Sequence, residues 1–273
     1  MKMFFRFSIL LILSLSTVLA YSDRDLDGVS DSLDQCPQSS MEDIVDETGC
    51  TSKNTISIGL GESVSSGTYG GTDTITTYNT NFILGYQMKK WYISTAFSYF
   101  SSGPADPSIT SVEDSKGFGD TYVNAGYTYS FGKQSAYTLS ALGNIKFATA
   151  DTTIGTGEMD YSFVLSSTYT KDRFTLLAST GYSVTGDTNL VTYNDIKNYT
   201  VGAGYMMNSK SYASISYAYA DAYLETSVAT QTLSIFSSYL YNERYSLSLS
   251  YALGLSDAAA EHALSLMLTR KFK

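Results

Sequence analysis

Twelve stretches of this chain alternate large apolar side chains with small or polar ones at a period of two. The pattern is clearest near the C-terminus. One face of residues 245–256 reads Tyr245, Leu247, Leu249, Tyr251, Leu253, Leu255, and the other reads Ser246, Ser248, Ser250, Ala252, Gly254, Ser256. Successive side chains of a strand point to opposite faces, so each stretch is a strand with one apolar face. The stretches are 54–63, 78–88, 91–101, 118–131, 136–147, 160–170, 174–185, 196–207, 212–222, 230–241, 245–255 and 262–272. Most run 10–12 residues, close to the roughly 9–11 that a tilted strand needs to cross a bilayer. Short turns (89–90, 132–135, 171–173, 208–211, 242–244) alternate with longer loops (64–77, 102–117, 148–159, 186–195, 223–229, 256–261). An even strand number, with short turns at one end and long loops at the other, predicts an all-β, antiparallel transmembrane β-barrel of twelve strands over residues 51–273. Closure removes the edges an open meander would leave unpaired.

Composition agrees. The chain has 24 Tyr and 3 Pro in 273 residues, with 43% hydrophobic residues. No apolar run after residue 20 approaches the roughly 18 residues of a membrane helix. Residues 1–20 carry Lys2 and Arg6, an apolar stretch at 7–15 and a small-residue site at Val18-Leu19-Ala20, the pattern of a secretory signal peptide. Charge sorts by end: eleven bases sit at the short-turn end with only Asp172 and Glu243, while the long-loop half carries fifteen acids against Lys116, Lys146 and Lys197. With twelve strands both termini lie at the short-turn end, which places them in the periplasm and the acidic loops outside. Trp91, Tyr92, Phe131, Tyr137, Tyr169, Phe174, Tyr212, Tyr245 and Phe272 stand at strand ends, where interfacial aromatic girdles are expected.

The segment DRDLDGVSDSLDQC is of another kind. Counting Asp23 as position 1, carboxylates fall at 1, 3, 5, 9 and 12 (Asp23, Asp25, Asp27, Asp31, Asp34), with Gly28 at position 6 and the Val29 carbonyl at 7. That spacing can wrap one calcium ion; the alternative is an acidic, solvated tail. The run continues through D-Q-C-P to V-D-E-T-G-C, and residues 23–50 as a whole resemble a thrombospondin type 3 repeat. The resemblance implies a short, loop-rich calcium-binding module, here over residues 21–50. A single repeat suggests a weak site, about 10⁻⁴–10⁻³ M. Cys36 and Cys50 are the two cysteines of the chain, and export predicts that they form a disulfide. A zinc centre is disfavoured, since the one histidine is the distant His262.

The inward face of the predicted barrel is rich in Ser, Thr and Gly. It implies a water-filled passage for small neutral or weakly cationic solutes, with Asp120 and Lys146 as paired lumen charges; a barrel plugged by a loop or by the N-terminal segment is the alternative. No ladder of inward Arg or Lys is present for acidic solutes. Phe272 near the C-terminus, followed by Lys273, resembles the signal read by the outer-membrane insertion machinery. GFGDTYVNAGYTYSF at 117–131 resembles a phrase of small outer-membrane channels grouped with aromatic-compound uptake. An enzyme is not expected: His262 and Ser265, three residues apart on a strand, point to opposite faces. No phosphate loop or basic nucleic-acid patch is present. Expected partners are outer-membrane lipid and lipopolysaccharide, small-molecule solutes, and a possible periplasmic protein meeting the N-terminal module. A non-conducting structural or binding role is the second class.

Overall fold

The computed structural model describes residues 23–39, 45, 48–50, 54–105, 114–132, 136–150 and 154–272. The signal peptide at 1–20 and the expected start at Tyr21 lie outside the described residues, as do Lys53, Lys133 and Lys273. Thirteen strands follow one another: β1 (Thr55–Gly67), β2 (Ile75–Met88), β3 (Trp91–Pro104), β4 (Ser115–Phe118), β5 (Thr121–Phe131), β6 (Tyr137–Phe147), β7 (Asp160–Lys171), β8 (Phe174–Val184), β9 (Ile196–Asn208), β10 (Ser211–Ala220), β11 (Thr230–Asn242), β12 (Tyr245–Gly254) and β13 (His262–Phe272). Each pairs antiparallel with its neighbours, and β1 pairs with β13 from Ile56↔Phe272 to Ser66↔His262, so the sheet closes on itself. The result is a barrel of twelve staves.

The extra strand corrects the single stretch expected at 118–131. Both β4 and β5 pair with β3, β4 along Tyr99–Ser102 and β5 along Trp91–Ala96. Between these ladders β3 advances from Ala96 to Tyr99, three steps, while its partner runs from Tyr122 back to Phe118, four. One residue too many makes a β-bulge, which breaks the ladder and changes which face the chain presents. Phe118 therefore packs outside against Tyr99, with ring centroids 5.3 Å apart, whereas Tyr122 faces inward. The first loops are also shorter than expected. β1 continues to Gly67 and β2 begins at Ile75, because Gly67↔Ile75 and Ile75↔Pro104 remain paired beyond the predicted strand ends.

The barrel has an inside-out apolar arrangement. Among the described residues the buried hydrophobics are Val45, Met206 and Ala259, whereas Leu60, Val201 and Ile235 on the outer wall are 54–56% exposed. A belt of rings circles the outside near the short-turn end: Trp91 on Tyr127, Phe131 on Tyr137, Tyr137 on Tyr169 and Phe174 on Tyr205, at 4.8–5.4 Å between centroids. Arg270 lies over Tyr245 and Phe272, and Lys90 over Tyr129. Rings with cations above them suit a boundary between hydrocarbon and water. Tyr92 and Tyr212, expected in this belt, face the lumen instead. They pair with Gln87 and Met206 on the inward register, and strand-end position alone does not decide face.

His262 and Ser265 separate as expected. His262 meets the Tyr251 hydroxyl at 2.8 Å on the outer face, and Ser265 pairs with Ser250 at 2.6 Å on the inner face. The two faces make a direct prediction. Arginine at Leu249, midway along the outer face of β12, should destabilise the barrel in phospholipid vesicles by about 2–4 kcal/mol. Ser248→Arg, one residue away but facing inward, should leave the urea midpoint near the parent's. Fluorescence of the single Trp91 reports the transition.

Candidate functional site

The lumen narrows differently at its two ends. At the short-turn end the inner faces of β1–β3 and β10–β13 enclose a vestibule of about 490 Å³, into which Tyr92, Tyr212, Phe236, Met267 and Ile83 project among Ser, Thr and Gln side chains. Its lining is thus less uniformly small than the sequence suggests. It stays open because glycines on neighbouring strands receive the large side chains. Tyr212 lies over Gly204 so closely that a Cβ there would overlap its ring. Tyr92 lies over Gly85, and Met267 over Gly59 and Gly61. A side chain laid along the wall leaves the centre free, which is the packing use of glycine in a strand.

At the long-loop end the lumen carries charge. Lys146 on β6, 7% exposed, places its Nζ 2.7 Å from Asp160 Oδ2 and 3.8 Å from Asp120 Oδ2, and donates to Thr156 Oγ1 at 3.3 Å. The predicted pair is therefore present, but Asp160 is the nearer partner. Its parity on β7 matches the inward Ser162 and Ser166, so the alternation could have revealed it. Asp120 sits in the bulge between β4 and β5, which turns it inward. Each carboxylate also holds a loop. Asp120 Oδ1 accepts from the Thr149 and Ala150 N–H groups at 3.0 and 2.9 Å, and Asp160 Oδ1 from the Gly186 N–H at 2.9 Å. The Asn194 N–H donates to the Tyr223 carbonyl at 3.0 Å, and Tyr193 stacks on Tyr223 at 4.6 Å. Burial raises the Tyr223 hydroxyl pKa above the usual tyrosine range, and the charge of Asp160 raises it further. The loops from 148, 185 and 221 thus converge on one ammonium and two carboxylates.

The N-terminal carboxylates form the second cluster. Oxygens of Asp23, Asp25 and Asp27 lie within 4.8 Å of one another. Asp23 accepts from the Leu26 and Gly28 N–H groups, Asp27 Oδ1 from Val29 and Asp34 Oδ1 from Cys36, while Asp31 Oδ1 caps the Arg24 N–H. Both oxygens of Asp25, with Oδ2 of Asp27 and of Asp34, are buried and accept no hydrogen bond among the described residues. Asp27 and Asp34 both flank Gly49, where a side chain would strike the Asp34 carboxylate. Gly49 is held there by the Cys36–Cys50 disulfide, present as expected. Burial, then the charges of Asp27, Asp34 and Asp23, push the Asp25 carboxyl up to about 9. Burial and the nearby Asp23 and Asp34 charges raise Asp27 to about 7, against the pull of the Val29 N–H.

This module rests against the short-turn rim. Arg24 meets Asp172 in the β7–β8 turn at 3.8 Å. Asp27, Gly28, Val29 and Val45 share a groove with Ser209 and Lys210 of the β9–β10 turn and with Leu240, Asn242, Glu243 and Arg244 near the β11–β12 turn. Those turns follow one another along the rim, from opposite β1 round to β12, which neighbours β13.

No family model matches the sequence, and no curated protein matches it. Solved structures do share the fold. The chain is similar to the COG4313 outer membrane channel from Pseudomonas putida F1, with 12% identity and a TM-score of 0.62 over 80% of this chain and 95% of that one. It is also similar to the KdgM porin solved in complex with disordered oligogalacturonate, with 11% identity and a TM-score of 0.52 over 80% and 99% of the two chains. The architecture is that of outer-membrane channel barrels.

The acidic cluster makes the module pH-sensitive. Carboxyls whose pKa is raised on folding bind protons more tightly in the folded chain, so their stabilisation is present below about pH 4 and lost as pH rises. Without divalent ions, amide protection over residues 23–39 should therefore be greatest in acid and fall in two stages, through about 7 for Asp27 and about 9 for Asp25. Hydrogen exchange in chelator measures this; protection that rises with pH would contradict it.

Proposed function

We propose that this protein is an outer-membrane channel for small neutral or weakly cationic solutes, and that residues 21–50 form a calcium-binding module at the periplasmic face of a barrel formed by 51–273. The interior carries the reading: a closed barrel with a vestibule of mixed aromatic and hydroxyl lining and, at its other end, a fixed charge set of two carboxylates and one ammonium. A net negative charge set favours cations modestly, and among the described residues no inward basic ladder stands to favour acidic solutes. The likeness in fold to outer-membrane channels supports the location, with short turns and termini in the periplasm as such barrels have them.

Calcium fits the residues present. Among the described residues, Asp25, Asp27 and Asp34 offer buried carboxylate oxygens without hydrogen-bond partners beside Asp23, and buried charge of one sign calls for a compensating cation. Asp23, Asp25, Asp27 and Asp34 would hold the ion with the Val29 carbonyl, and Asp31 would stand behind the loop. Bound there, calcium would supply the positive charge that the cluster lacks.

A second reading, a barrel closed by its own module, is favoured by the contacts of Arg24 and Val29 with the rim. Planar-bilayer recordings separate the two. The folded chain should give conductance steps with a reversal potential on the cation side. Lys146→Met should raise cation preference and Asp160→Asn should lower it. Silence from a barrel shown to be folded would select the closed form, and anion selectivity would reject the proposed solute class. Calcium titration should protect residues 23–39 from proteolysis, and Asp25→Asn should abolish that protection.

A further inference from the structure

The vestibule has a chemistry of its own. Resting on the channel reading above, we propose that it is a binding subsite for a neutral saccharide ring.

Three features converge on that ligand class. The first is the posture of the rings. Tyr212 lies along the wall over Gly204 and Tyr92 over Gly85, so each ring borders the vestibule without filling its centre. Phe236 stands beside Tyr212, with centroids 6.4 Å apart, and all three line the same space. A pyranose has a C–H face that stacks on such rings and shed water favours the contact.

The second is what stands between the rings. Gln87, Ser246 and Ser248 line the same vestibule. Hydroxyl and amide groups can exchange hydrogen bonds with a sugar's rim directly or through water. A bare aromatic solute would leave them facing an apolar edge, at the cost of unmade hydrogen bonds. The third is charge and size. Among the described residues no carboxylate lines the vestibule, and Lys271, only 8% exposed, is the one cation in its lining. About 490 Å³ falls within the ~300–1,000 Å³ of small-molecule sites, enough for one or two rings.

The test is binding of maltose to the full folded barrel in detergent, by saturation-transfer NMR, with current block in planar bilayers recorded in parallel. The ring C–H protons of maltose should receive saturation, with millimolar affinity. Tyr92→Leu combined with Tyr212→Leu should weaken binding about tenfold. Gly204→Ala, which keeps every ring but pushes Tyr212 off the wall, should also weaken it. Heat-modifiable gel migration establishes that each variant is folded. Equal binding of mannitol, which has the hydroxyls without a ring, would overturn the proposal. So would tighter binding of phenol or galacturonate, or unchanged affinity in the folded variants. Binding without conductance would leave the subsite standing and remove the channel reading; conductance without binding would do the reverse.

Discussion

Everything in this molecule depends on the seam between β1 and β13. A strand in hydrocarbon has no water to satisfy its backbone, so an unpaired edge costs several kcal/mol per exposed group. The antiparallel ladder from Ile56↔Phe272 to Ser66↔His262 removes both edges at once. With the backbone satisfied by closure, the side chains are released from the usual task of building a core. Apolar groups can face out, and the inside can be polar, hydrated and chemically specific. The near absence of buried hydrophobics among the described residues is the consequence of this closure, and in a soluble protein it would signal instability.

Closure also sets the terms on which the lumen is shaped. A period-two wall gives every second residue to the inside, and twelve staves leave more room than side chains fill. The space is then shaped by pairing large residues with glycines across adjacent strands. Tyr212 with Gly204 and Tyr92 with Gly85 are separate instances of one device. The ring's bulk goes along the wall and leaves the centre of the lumen clear. The bulge at Gly119-Asp120 works at the other end in a comparable way. One extra residue interrupts the ladder with β3 between Ala96 and Tyr99, and Asp120 beside it meets Lys146.

Alternation made the barrel legible in the sequence, because period two is imposed by strand geometry and persists through every stave. The Cys36–Cys50 bridge and the Asp120–Lys146 pair were legible for similar reasons: few partners existed, and parity fixed the face. Asp160 could have been read the same way but stood at the end of its strand, where pattern is weakest. The bulge was not legible, because GFGDTYV reads as one strand whether or not a residue is looped out. Tyr92 and Tyr212 misled because strand-end position does not override parity: each shares the inward face of Ser94 or Ser214 on its own strand. The inward lean of the loops at 148 and 185 left no sequence signal, since it rests on backbone N–H groups that any residue supplies.

The two carboxylate clusters show opposite solutions to one electrostatic problem. In the lumen Asp120 and Asp160 share an ammonium, and their remaining oxygens accept backbone N–H groups, so the cluster is satisfied by the chain itself. Such a set is rigid and holds its loops without any external ligand. In the N-terminal module, Asp25, Asp27 and Asp34 crowd beside Asp23, and four of their oxygens are buried without a hydrogen bond among the described residues. Protein chemistry tolerates that only if protons or a metal ion supply the missing charge. The first cluster is therefore a fixed feature of the wall, whereas the second depends on what the surrounding solution contains. Because Arg24 and Val29 place that second cluster against the short-turn rim, its state of charge bears directly on the mouth of the barrel.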